Sequence, residues 1–367
     1  MRAGSAGLAT HGWCTGRRSL VVALTAVVVL SQAPVAWAQA ALPWKTGSFV
    51  GPTNDELSAG NNPSPKTLLA RIKAFDNWRG RKSGAALQFI SFHYFNTDYA
   101  AFLQAPALTA NLAAFKAAGL TNVFSIPLVN KADAGRFAYA AAGGIDAPHQ
   151  AIASRLRQIM GTGRIYLRLG WESDHGYPWS IADHEGVGQP DPAIPADYIA
   201  AWRRIALIYK NTLPGAVMVW NTLKNPPVNW AKYYPGDDVV GLISIDLYDN
   251  GAGGFFSSNN AAWKNFGLGS YNAATGRVQG MKGVLDFARS RGKKIALDEW
   301  GVTNKTLRAS DGANNSFFAP AVFKFLNDNK KYIEYEFYFN LGGGNTHLIY
   351  PRVNYNLRPS KAYLTKW

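Results

Sequence analysis

Two glutamates, Glu172 and Glu299, each stand beside a tryptophan, Trp171 and Trp300, at the end of an apolar, alternating run. A pair of carboxyl groups flanking one bond can divide the work of cleaving a glycosidic link, one protonating the leaving oxygen while the other attacks or activates water. Side chains alternate along a strand, so Tyr166, Arg168, Gly170 and Glu172 share one face of the first run. A face carrying Arg and Glu belongs towards a polar interior, which leaves Leu167, Leu169 and Trp171 to pack outward. The same period puts Ile295, Leu297 and Glu299 on the inner face of the second run. Taken singly, Glu172 also fits an ion pair with Arg168, and Glu299 a loop cap. Their joint occurrence at two strand ends favours chemistry.

Other side chains fall near the same strand ends. Trp179 and Trp300 are expected to stack on a sugar ring, with Trp220 equally suited to packing. Asn221 is expected to bond a sugar hydroxyl. His93 and His175 read equally well as local structure. The sequence carries no nucleophile triad, phosphate-cradling loop or metal-ligand cluster, so neither cofactor nor metal is expected.

The elements that must position these residues alternate. Expected strands cover Ser48–Pro52, Leu87–Phe95, Asn122–Val129, Arg164–Glu172, Ala216–Thr222, Val239–Tyr248, Lys294–Trp300 and Ile333–Asn340. Between them lie helical faces such as Leu68, Leu69, Ile72 and Phe75 after a Ser64–Pro65 cap. Further faces are Ile152, Leu156 and Ile159, then Tyr198, Trp202 and Ile205, and Met281, Val284, Leu285 and Ala288. Little room for a helix separates the fifth strand from the sixth. Alternating strands and helices imply parallel βαβ units, and eight of them a single-domain (β/α)8 barrel with its chemistry at the carboxyl ends of the strands.

At the amino terminus, Arg17 and Arg18 precede the apolar run Leu20–Leu30, and small residues follow at Ala36, Ala38 and Ala40. This is the pattern of a secretory signal peptide over residues 1–38, too short for an ordinary membrane span. Residues 39–367 then form the barrel domain, secreted or periplasmic and monomeric, with no membrane span after cleavage. The one cysteine, Cys14, lies in the leader, which excludes disulfide and thiolate chemistry from the mature chain. The full chain of 367 residues carries a net charge of +15, and the leader removes three arginines and no acid. The remaining excess suits either an acidic polymer or a solvated surface. It lacks the basic runs and motifs of nucleic-acid binding.

The run Arg168-Leu-Gly-Trp-Glu172, followed by Gly176-Tyr-Pro-Trp179, resembles the fourth-strand motif of glycoside hydrolase family 26, which includes β-mannanases. Tyr234-Pro-Gly-Asp-Asp238, leading to Asp246-Leu-Tyr248-Asp249, resembles its sixth-strand region, and Ala296-Leu-Asp-Glu299-Trp-Gly301 its nucleophile strand. The resemblance implies a retaining barrel enzyme acting on a polysaccharide, with Glu172 as acid/base, Glu299 as nucleophile, and Arg168 and Tyr248 in support. It departs from the family at Trp171, where His is usual, and at Asp174, where Asn is usual. A tryptophan that usually closes the eighth strand is also missing. These changes leave a mannan-like substrate and a divergent exopolysaccharide both open. A glycan-binding or exopolysaccharide-processing barrel without catalysis is the alternative class.

Overall fold

The computed structural model describes residues 41–51, 56, 63–90, 106–182, 194–249, 255, 257–302, 315–341, 349–350 and 357–367. The expected leader lies outside the described residues, as do His93 and the ends of the expected strands at Pro52 and Phe95.

Eight parallel strands form one sheet in the order β1-β8-β7-β6-β5-β4-β3-β2. They are β1 (Lys45–Phe49), β2 (Ala85–Phe89), β3 (Thr121–Ile126), β4 (Ile165–Leu169), β5 (Ala216–Leu223), β6 (Leu242–Tyr248), β7 (Ile295–Gly301) and β8 (Ile333–Phe339). Where β2 begins, the Gly84 N–H donates to Thr46 O at 2.9 Å and ties β1 to β2, so the sheet curls into a (β/α)8 barrel. Around it lie α1 (Pro65–Arg79), α2 (Pro106–Ala117), α3 (Phe137–Ala141), α4 (Asp146–Met160), α5 (Pro195–Thr212), α6 (Gly280–Ser290), α7 (Phe318–Asp328) and α8 (Leu357–Leu364). Among the described residues, no helix is long and apolar enough to cross a membrane.

Local sequence explains most of the outer ring. The Ser64 side chain accepts from Thr67 N to start α1, Pro65 occupies its first turn, and Gly80 ends it at φ 69°. The buried face of α1 is Leu68, Ile72 and Phe75; that of α5 includes Tyr198, Trp202 and Ile205. Only a short 3-10 turn, Trp230–Tyr233, separates β5 from β6, matching the small space available there.

The strand ends move by a few residues from their expected positions. β1 sits earlier than Ser48–Pro52 because its register is set by pairing, from Lys45 opposite Tyr335 to Phe49 opposite Phe339, rather than by its own pattern. β4 stops at Leu169 because Gly170 turns into the left-handed region at φ 60°. Two apolar layers result. One lies between sheet and helices; the other plugs the barrel with Leu87, Val123, Tyr166, Val219, Leu242, Ala296, Tyr335 and Phe337. The plug fills the barrel lumen and leaves the polar residues of β4, β6 and β7 for the carboxyl end.

The plug also corrects one expectation. Ala296 faces the barrel interior, whereas Ile295 and Leu297 pack in the outer layer, opposite to the simple alternation expected for β7. Glu299 nevertheless reaches the inside. Leu297 pairs with Ile245 but Glu299 with Asp246, so one extra residue on β7 resets its parity.

Candidate active site

After β4 the chain makes two left-handed steps, at Gly170 and again at Glu172, whose φ of 44° is the one positive value among the described non-glycine residues. A residue with a Cβ holds that conformation only where its surroundings fix it. Those surroundings are explicit. Asn221 Oδ1, on β5, accepts the Glu172 N–H at 2.7 Å, and Ser173 Oγ donates back to Asn221 O at 3.1 Å. Glu172 O accepts from His175 N at 2.9 Å, and Trp179 Nε1 donates to Trp171 O at 2.6 Å. The turn aims the Glu172 carboxyl into the barrel mouth.

The bulge on β7 brings two acids inward together, Asp298 and Glu299. Arg168, from β4, meets both and a third on β6. Its Nη1 lies 2.9 Å from Glu299 Oε1, its Nη2 2.6 Å from Asp246 Oδ2, and its Nε 2.8 Å from Asp298 Oδ2. Tyr248 donates to the second Glu299 oxygen at 2.7 Å. Both Glu299 oxygens therefore accept a bond. Ser244 donates to Asp298, and the Asn221 amide nitrogen lies 3.1 Å from Asp246 and 3.2 Å from Asp298.

One guanidinium faces four buried carboxyls, so they cannot all be charged at low cost. Burial pushes the Glu172 carboxyl up to about 8, and the neighbouring Glu299 adds to the rise, while Arg168 and a bond from Tyr177 oppose it. Burial also raises Asp246 and Asp298 against the pull of Arg168. Asp174, bonded through Oδ1 to Leu223 N at 2.9 Å, is lifted by burial to about 6. Glu172 thus sits among acids and apolar surface, and Glu299 among donors.

Exposure decides which of these groups a ligand could touch. Glu172 and Glu299 keep 8% and 6% of their surface, whereas Arg168, Asn221, Asp246 and Asp298 keep none. Arg168 keeps its expected supporting place, and the expectations for Asn221, Trp179 and Trp300 change. Arg168 holds the acids in place and does not reach a ligand itself. Asn221 spends its amide on Glu172, Ser244 and the acids, not on a sugar hydroxyl. Trp179 is wholly buried, stacked on Tyr177 at 4.8 Å. Trp300 is wholly buried in the outer layer, with Nε1 donating to Glu336 at 2.6 Å and its ring against Tyr338 and Trp367. Past the bulge the strand pairs residue for residue again, Glu299 with Asp246 and Trp300 with Leu247, so alternation turns Trp300 outward. Trp220 likewise packs face to face on Trp230 at 3.5 Å.

The half-buried rings grouped around Trp171 and Glu299 are instead Phe89, Tyr177 and Tyr248. Tyr177 and Asp298 escaped the sequence reading. Tyr177 lay inside the Gly176–Trp179 motif but was overshadowed by the tryptophan, and the role of Asp298 depends on a bulge that alternation cannot reveal. Oxygens of Glu172, Asp246 and Glu299 all lie within 4.8 Å of one another, a spacing that a cation could bridge. Arg168 already supplies a positive charge to two of the three.

No protein-family model and no curated protein matches the sequence. Solved structures do share its fold. The catalytic domain of a family 26 endo-β-1,4-mannanase from Bacillus sp. JAMB-750 matches with a TM-score of 0.57 at 14% identity, covering 88% of this chain and 86% of that one. The YdhT protein from Bacillus subtilis matches with a TM-score of 0.55 at 12% identity, over 87% and 85%. A modular endo-β-1,4-mannanase from Cellulomonas fimi matches at 0.55 and 16% identity, over 79% of this chain and 65% of that one. At these identities the likeness is one of fold. The chain thus has the (β/α)8 architecture found in family 26 mannanases, as the sequence resemblance implied.

Proposed function

We propose that this protein is a retaining glycoside hydrolase of the family 26 type, acting on a β-linked polysaccharide with Glu172 as acid/base and Glu299 as nucleophile. The observation that carries this reading is the pair itself. Oxygens of the two carboxyls lie within 4.8 Å of each other in unlike surroundings, compatible with the separation of about 5–5.5 Å between carboxyl groups in retaining enzymes.

The chemistry follows from those surroundings. Glu172, with its affinity for a proton raised to about 8, holds that proton at neutral pH and gives it to the departing sugar oxygen. As that C–O bond breaks, a Glu299 oxygen bonds to the anomeric carbon and forms a glycosyl ester. Arg168 and Tyr248 keep the attacking carboxylate oriented until then. Esterification removes the Glu299 charge, so one of the causes raising Glu172 disappears and its carboxylate can take a proton from water. That water attacks the anomeric carbon, and the carboxylate of Glu299 leaves. Two inversions restore the starting configuration.

The substrate class rests on the fold shared with mannanases and on the half-buried rings beside the acids; burial of Arg168 and Asn221 leaves Glu172, Glu299, Tyr177 and Tyr248 as the described groups that can meet a sugar. Export belongs to the same proposal: residues 1–38 are a cleaved leader, and the barrel of residues 39–367 works outside the cytoplasm as a monomer. Product release from a panel of mannans, xylans, glucans and acidic exopolysaccharides tests the activity. Turnover by the wild type that vanishes in Glu299→Gln is the expected result. Tight binding without product from any glycan would favour a binding protein instead.

A further inference from the structure

The opposite end of the barrel carries a second concave site. A cleft of about 620 Å³ opens between the end of α6, the turn leading into β7 and the 3-10 turn Lys330–Tyr332 that precedes β8. Its charged lining is Arg289, Lys293, Lys294 and Lys331 against the single acid Asp286. That acid is engaged from outside the cleft by Lys282, and Lys294 leans on Glu334 at 3.0 Å. The remaining cations are fixed by other means. Lys293 donates to Asp237 O at 2.8 Å, and Arg289 and Lys331 lie 4.9 and 4.8 Å from the ring centre of Tyr332.

We propose that this cleft binds a carboxylate-bearing polysaccharide. Its cations stand around one depression with little opposing charge, and fixed cations on a concave wall raise the local concentration of an anion. The volume falls within the range of organic ligand sites and far exceeds the needs of one inorganic ion. Ser290, Gly292 and Tyr332 complete the lining with polar groups suited to hydroxyls. The single aromatic ring already has two cations against it, which leaves no platform on which nucleic-acid bases could stack. The positive excess that remains once the three leader arginines are taken from the +15 of the full chain is compatible with such a ligand. The site lies at the amino ends of β7 and β8, while Glu172 and Glu299 lie at the carboxyl ends of β4 and β7. It would therefore tether the protein to an acidic polymer without occupying the acids, and it stands or falls independently of the glycosidase reading.

The test is calorimetric titration of the full exported protein with oligogalacturonate at two salt concentrations. Arg289→Gln/Lys331→Gln should weaken binding at least tenfold. Lys66→Gln/Lys73→Gln, which removes the same charge from the exposed side of α1, should change it less than twofold. Equal weakening by both variants would reduce the effect to overall charge and overturn the site. Absence of oligogalacturonate binding by the wild type would overturn it too, as would equal affinity for inorganic polyphosphate, which would make the cleft a general anion trap. Matching melting temperatures for the two double variants would exclude a folding defect as the cause.

Discussion

Asn221 Oδ1 accepts the backbone N–H of Glu172 at 2.7 Å, so the strained acid at the end of β4 is held by a side chain from β5. Asn221→Ala would leave that N–H, Ser244 and two buried acids short of a partner. Losing a buried hydrogen-bonding group typically costs about 1–3 kcal/mol. The expected outcome is a fold weakened by that amount, seen in urea unfolding, together with a fall in kcat of roughly 10–100-fold as Glu172 drifts. An Asn221→Ala enzyme with unchanged kcat would show that Glu172 needs no such support.

The elevated proton affinity of Glu172 gives a pH dependence with a defined sign. On the proposed mechanism activity requires the protonated form, so kcat/KM should fall as pH rises through about 8. Stability follows the same group. Because the folded carboxyl holds its proton more tightly than the unfolded one, its contribution is most favourable below about 4.5 and is lost as pH rises towards about 8. Glu172→Gln cannot lose that proton. Its melting temperature should therefore gain on the wild type between pH 5 and pH 9, and a constant or shrinking difference would contradict the assignment.

Arg168 has no exposed surface and pairs with Asp246, Asp298 and Glu299. Removing one partner from a buried ionic group leaves uncompensated charge and commonly costs about 3–5 kcal/mol. Arg168→Met should lose stability on that scale above pH 7, and less in mild acid, where the buried carboxyls take up protons. Equal losses at both pH values would mean that packing of the side chain, not its charge, matters.

Much of this arrangement was legible in the sequence. Alternation in β4 correctly separated Tyr166 and Arg168 from Leu167 and Leu169, because no irregularity interrupts that strand. The same rule failed on β7, where the extra residue at Asp298 shifts the register and brings two consecutive acids inside. Tryptophans misled for a different reason. Their size suits both sugar stacking and core packing, and only the three-dimensional surroundings separate the two. Trp300 is covered by Tyr338, Tyr363 and Trp367, residues far along the chain whose approach no local pattern announces.

Those tryptophans give a prediction of their own. Trp300→Phe removes the donor to Glu336 and some packing in the outer layer, so it should lower stability by about 1–3 kcal/mol. KM for the polysaccharide should stay within about twofold of the wild type. A large rise in KM without loss of stability would return Trp300 to the substrate site.

The division of labour between Glu172 and Glu299 is tested most directly in Glu172→Ala with azide. General acid–base help is worth roughly 10²–10⁴-fold, but an aryl leaving group needs little of it. The variant should therefore lose most of its activity on the polysaccharide while still being glycosylated by an activated aryl glycoside. Azide, entering the space left by the carboxyl, should then release the sugar from Glu299. The measurement is the anomeric configuration of the glycosyl azide formed. Retained configuration, with turnover restored by azide, is the expected result. An inverted azide, or loss of both substrates with no rescue, would contradict the assignment of acid/base to Glu172 and nucleophile to Glu299.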